Sequence, residues 1–182
     1  MTEPNPALDQ GCDFQTMPSP VQRRRCSGFS LIELMIVVAI ILIIAAMAIP
    51  NLLRSKMSAN EASAVSSTRV IVTSQQSYAL TYPQIGYADS LSKLAMPASG
   101  TAPNQNAAGY LDSTLGCSTA SCRKSGYDFS LINVNGTPAN SYSVTAVPVL
   151  VGQTGRRGFC ADQVAKITYD PNGAAACSVP LD

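Results

Sequence analysis

Arg23-Arg24-Arg25-Cys26-Ser27-Gly28, followed by Phe29-Ser30-Leu31-Ile32-Glu33-Leu34-Met35-Ile36-Val37-Val38, is the stretch on which the fold turns. From Phe29 to Ile49 there are 21 residues, and Glu33 is the only charged one. As an α-helix that run is about 31 Å long, close to the thickness of a bilayer's hydrocarbon core. The three arginines before it place the chain's start on the cytoplasmic side of a membrane. Arg54 and Lys56 follow the run, so the charge bias is modest. A carboxylate within an apolar span costs roughly 2.5 kcal/mol or more at the bilayer centre, so Glu33 needs a specific reason to be there.

Outside this run the chain has the makings of one modest globular domain. It has 182 residues, 46% of them hydrophobic, and a net charge of +1. That balance makes no electrostatic case for a nucleic-acid or acidic partner. The chain has no His, which removes the commonest general base and the commonest metal ligand. No nucleophile–base set and no cofactor loop is visible, so an enzyme is the least favoured class and neither cofactor nor metal is expected. Of the six cysteines, Cys12 and Cys26 precede the apolar run and Cys117, Cys122, Cys160 and Cys177 follow it. Four cysteines in the distal part fit two disulfides formed in an oxidising compartment. Three pairings are open, and the two local ones, Cys117–Cys122 and Cys160–Cys177, are favoured. A zinc site lacks a second close pair and any His.

An ordinary secretory signal runs from a basic region through an apolar core to a small-residue cleavage site. Here the order is inverted, because Gly28 precedes the apolar core. Residues 1–28 are polar, with Pro4, Pro6, Pro18 and Pro20, and are expected to be unfolded. A cut after Gly28 leaves the apolar segment on the mature chain as its anchor. The segment from Gly28 to Val38 resembles the class III signal of type IV prepilins and the related pseudopilins. The likeness lies in a glycine, then phenylalanine, a small polar residue, aliphatics, and a glutamate five residues beyond the glycine. It covers about 30 residues. It implies cleavage after Gly28 by a membrane prepilin peptidase that also methylates the new amino terminus of Phe29. It further implies that Glu33 directs assembly and that the subunits form a homopolymer with the help of an inner-membrane assembly machinery.

Glu33 has two compatible roles. Ser30-x-x-Glu33 matches a helix capping box, and an acid is favoured near a helix amino terminus. The family likeness adds a second role, in which Glu33 pairs with the free amine of Phe29 on a neighbouring subunit. Out of water, an unpaired charge opposes every other stagger between helices.

Pro50 removes a backbone donor and is expected to kink or break the helix. Beyond it, Leu53, Met57, Ala64, Thr68, Ile71, Gln75, Tyr78 and Tyr82 recur at three- to four-residue steps, with Leu52, Val65 and Val72 beside them. Arg54, Asn60, Glu61, Ser67 and Ser74 fall on the other face. Pro83 and Gly86 end the pattern. Residues 83–126 read as a connecting loop region, with Leu91 and Leu94 on a short helical turn. Strand patterns then cover Tyr127–Ile132, Tyr142–Val149, Gly158–Ala161 and Val164–Tyr169, with a turn at Asn135-Gly136. Gly152, Gly155 and Arg156-Arg157 read as a loop between strands.

The expected fold is α+β, a long amino-terminal helix packed on a small antiparallel sheet. Its segments are a cytoplasmic leader over 1–28, a membrane or filament-core helix over 29–49, an amphipathic continuation over 50–82, the loop region over 83–126, and the sheet with its disulfide-tied tail over 127–182. Scattered Asp128, Asp162 and Asp170 read as turn formers. The pairs Arg123-Lys124 and Arg156-Arg157 can meet DNA phosphates, although solvated loops are the ordinary reading. The resemblance implies a pilus subunit, held in the inner membrane and then exported in a surface filament for adhesion, twitching motility or DNA uptake. The alternatives are a type II secretion pseudopilin and a non-polymerising anchored module or minor tip subunit. Major pseudopilins usually carry a Tyr-Pro-Thr-Thr-type loop and calcium-binding acids near the C-terminus. Here the loop reads Tyr82-Pro83-Gln84-Ile85 and the tail is poor in acids.

Overall fold

A computed structural model describes residues 29–181. The expected leader, Gly28 and Asp182 lie outside them. The described residues divide into two bodies within the first helix, one reaching Leu42 and the other running from Ile43. Helix α1 spans Leu31–Thr81 and a four-residue helix α2 spans Leu91–Leu94. Six strands follow: β1 Cys122–Lys124, β2 Tyr127–Gly136, β3 Ala139–Pro148, β4 Gly158–Asp162, β5 Ile167–Asp170 and β6 Val179–Pro180. They form one antiparallel sheet in sequence order, the short-connection topology that consecutive hairpins produce. The arrangement is α+β.

In the first body every described residue from Phe29 to Leu42 is exposed, including Leu31, Ile32, Met35 and Ile41. The helix starts at Leu31 because Ser30 holds the N-cap position, where its carbonyl accepts the Leu34 N–H at 3.2 Å.

In the second body α1 continues without interruption through Pro50. The break expected there does not occur. A proline's fixed φ suits a helix, and the loss is confined to the donor that would have met the Ala46 carbonyl. One residue on, Asn51 Nδ2 donates to the Met47 carbonyl at 3.2 Å and adds a polar contact beside the gap.

The buried stripe of α1 comprises Ala64, Ser67, Thr68, Ile71, Val72, Ser74, Gln75 and Tyr78. Ser67 and Ser74 were expected on the solvent face and are instead buried. Their short side chains let the rest of the fold approach closely, and Ser74 Oγ donates to the Val70 and Tyr110 carbonyls. Leu52 and Leu53, assigned to the apolar stripe, are exposed. From the sheet side, Tyr127, Phe129, Tyr142, Val144, Ala146, Phe159, Ala161 and Ile167 complete the core. Register aligns Phe129 with Ala146, Ala146 with Phe159, and Ala161 with both Val144 and Ile167, so the inward rows match across strands.

Three strand expectations need correction. The region over 83–126 is not all loop, since it ends in β1. The strand expected from Val164 starts only at Ile167, because Ala165 takes a left-handed φ of 63° that turns the chain. Asn135 and Gly136 close β2, and the turn itself is Thr137-Pro138. β6 had no periodic signal, being two residues long. Its neighbour Leu181 donates to the Ile167 carbonyl at 2.9 Å, and the Cys160–Cys177 disulfide ties this tail to β4. Cys117 and Cys122 form the second disulfide, at the start of β1.

Candidate functional site

The chemistry of the first body is concentrated at the start of α1. Phe29 is 79% exposed. The backbone N–H of Ser30 donates to Glu33 Oε2 at 2.9 Å. This is the reciprocal arm of a capping box, in which the N3 carboxylate satisfies an orphan donor at the helix start. Glu33 therefore serves the helix locally in the isolated chain. Around it, aliphatic side chains cover the whole circumference of the helix rather than one stripe. A helix that is apolar all round is covered by lipid or by other helices. It is long and apolar enough to cross a membrane.

Of the residues singled out from the sequence, Phe29 and Glu33 lie together at this helix end. Pro50 lies in the second body, on α1. The four cysteines lie at β1 and at the β4–tail junction. Gly28 lies outside the described residues. Asp128 is paired with Arg123 at 2.8 Å, Asp162 accepts the Val164 N–H at 3.0 Å, and Asp170 accepts the Asn172 N–H at 2.6 Å. All three are engaged in strand or turn structure.

The second body has a polar clasp that pattern reading missed. Glu61 accepts hydrogen bonds from the Arg156 N–H at 2.9 Å, the Arg157 N–H at 3.3 Å and Arg157 Nε at 2.9 Å, and pairs with Arg157 Nη2 at 2.8 Å. The Arg157 guanidinium also lies 5.5 Å from the Phe159 ring centre and 5.3 Å from that of Tyr169. The Tyr127 hydroxyl donates to the Arg157 carbonyl at 2.9 Å, and Asn60 Nδ2 donates to the Thr154 carbonyl at 2.8 Å. Gly155 is required beneath Tyr127, because a Cβ there would fall 2.0 Å from the phenolic oxygen. A signal for the clasp was present: Glu61 continues the series Ala64, Thr68, Ile71, Gln75 at helical spacing. Its charge alone assigned it to solvent.

Burial pushes the Glu61 carboxyl up, but the Arg156 and Arg157 donors outweigh it and hold the group below its ordinary value. A depressed carboxylate pKa adds stability that is present above the unfolded-state value and is lost as pH falls through the folded-state value. Glu61→Gln is accordingly expected to lower stability by about 1–2 kcal/mol at neutral pH, a figure held down by the partly exposed Arg157. The two proteins should converge as pH drops below about 4, where the native carboxyl also becomes neutral. Urea melts of both across that pH range check this.

The model of the prokaryotic N-terminal methylation motif matches residues 23–49. The type IV major pilin protein PilA of Myxococcus xanthus is 46% identical over 54 residues, covering 30% of this chain and 24% of that protein. The type II secretion system core protein G of Aeromonas hydrophila is 46% identical over 46 residues, or 25% of this chain and 32% of its own length. The type IV wide pilus major component PilA4 of Thermus thermophilus is 58% identical over 38 residues, or 21% and 29%. The chain thus spans about a quarter to a third of the length of these curated relatives. No solved structure gives a significant match. Its apolar helix and the residues before it carry the prokaryotic N-terminal methylation motif, and over that segment the chain is similar to type IV pilins and to a type II secretion core protein.

Proposed function

We propose that this chain is the structural subunit of a type IV pilus. The cut falls after Gly28, Phe29 becomes the N-methylated amino terminus, and the subunit waits in the inner membrane with residues 29–49 as its span. A prepilin peptidase and an inner-membrane assembly machinery are its processing partners. Polymerisation then moves the helix from lipid into a bundle of sibling helices, with Glu33 facing the Phe29 amine of a neighbour. The observation that carries this reading is the complete exposure of the apolar helix that follows the methylation motif. A surface so apolar has no partner within its own chain.

A second reading, a pseudopilus subunit of type II secretion, is favoured by the likeness to the Aeromonas core protein. The sequence Tyr82-Pro83-Gln84-Ile85 after α1 supports the pilus instead. Shearing expressing cells separates the two. Recovery of the chain in long released filaments is the pilus outcome, and retention of processed chain in the membrane fraction is the pseudopilus outcome.

A further inference from the structure

The end of the second body nearest the apolar run is built from three turns. Asn60 meets Thr154 of the loop 149–157. Ser63 Oγ bonds Ser125 Oγ at 2.9 Å, in the β1–β2 turn. Gly173, in the turn after β5, sits against Val151 and Pro148 of the same loop. Asn60 and Glu61 are among the first residues of α1 to engage the sheet, so these turns form the membrane-proximal end. The opposite end engages α1 at Gln75 and Tyr78.

The loop at the proximal end exposes two apolar side chains, Leu150 and Val151, 52% and 58% exposed. It is stiffly made. Thr154 and Gln153 N–H groups donate to the Leu150 carbonyl, Gly152 N–H donates to Gly155, and Leu150 N–H donates to Thr154 Oγ1. Exposed Pro171 lies in a neighbouring turn. The charges at this end are Arg54, Lys56, Arg156 and the clasped Arg157, against Glu61, already paired, and Asp170, engaged in its own turn. The local balance is positive. A rigid apolar knob among cations matches the interface of an anionic bilayer, where apolar groups enter the headgroup boundary and basic groups meet lipid phosphates.

The reach is sufficient. From Ile49, the last residue of the apolar run, to Asn60 is eleven residues, about 16 Å of helix. The headgroup layer takes up roughly 5–8 Å of that. The rest, about 10 Å, is comparable to a loop tip two residues deep at about 3.4 Å per residue plus a leucine side chain.

We propose that, in the membrane-stored subunit, Leu150 and Val151 dock the head onto the anionic lipid surface through which its own helix passes. This rests on the anchoring reading above. The head is then held against the membrane until extraction, and release of the knob is part of leaving the bilayer.

The chain contains no tryptophan, so a single introduced one is a clean reporter. Full-length Leu150→Trp, Leu80→Trp and Ile41→Trp variants are placed in nanodiscs of phosphatidylethanolamine and phosphatidylglycerol, with and without brominated lipid. The reporter at position 150 is expected to lose emission on the order of twofold, as an interfacial tryptophan does, and less in neutral phosphatidylcholine. The reporter at position 80, at the far end, should be unaffected. Val151→Trp replaces Leu150→Trp if the latter disturbs the loop. Quenching at position 41 without quenching at 150 or 151 overturns the docking and leaves the anchor intact. Absence of quenching at 41 overturns the anchoring reading and the docking with it. Unquenched reporters combined with filament loss in Leu150→Gln would assign the knob to a neighbouring subunit and also overturn the lipid contact.

Discussion

Glu33→Gln is expected to be cut after Gly28 and inserted in the membrane as efficiently as the native chain, while filament yield falls at least tenfold. Glutamine keeps an oxygen able to accept the Ser30 N–H bond now made at 2.9 Å, so the start of α1 stays capped. What it loses is charge. In the proposed filament the Phe29 amine of a neighbour is cationic and out of water, and a buried ion left without its partner costs 3–5 kcal/mol. Taken at every subunit addition, a loss of even 1.4 kcal/mol is tenfold in an equilibrium constant. Immunoblots of membrane and sheared fractions provide the check. Native filament yield from this variant would reduce Glu33 to its capping role.

Gln75→Leu should unfold the head more readily than any change to its surface. Gln75 is fully buried, with Nε2 donating to the Ala88 carbonyl at 2.9 Å and Oε1 accepting the Ala88 N–H at 2.8 Å. It thereby fixes the connection after α1 to the helix itself. Leucine fills the same volume but strands a buried donor and a buried acceptor, each costing about 1–3 kcal/mol. A loss of about 2–4 kcal/mol follows, with a drop in Tm of several degrees or more. Thermal melts of the detergent-solubilised chain measure it. A Tm within a degree of native would mean that water or a shifted loop serves Ala88 equally well.

These two residues mark the range of what the sequence makes legible. Glu33 is conspicuous because a lone charge in 21 apolar residues contradicts its surroundings. Its local bond to Ser30 follows from spacing alone. Gln75 was placed on the inward face by periodicity, but nothing in the sequence names Ala88 as its partner. That contact closes a loop whose path depends on tertiary packing. Ser67, Ser74 and Glu61 show the reverse failure. Polarity assigned them outward, while their helical spacing with Ala64, Ile71 and Tyr78 pointed inward, and spacing prevailed because buried polar groups found partners. The long strands were legible from alternation. β1 and β6 were not, since two or three residues carry no period. The helix at Pro50 continues because one missing hydrogen bond does not stop a helix supported on both sides.

The central claim is processing at one peptide bond followed by polymerisation, and intact mass tests it most directly. Filaments sheared from cells of the native host should yield a chain beginning at Phe29. Its mass should exceed that of the unmodified sequence from that residue by one methyl group, less the four hydrogens removed by the disulfides Cys117–Cys122 and Cys160–Cys177. A chain in which residues before Phe29 are retained, or one absent from every filament fraction, would contradict it.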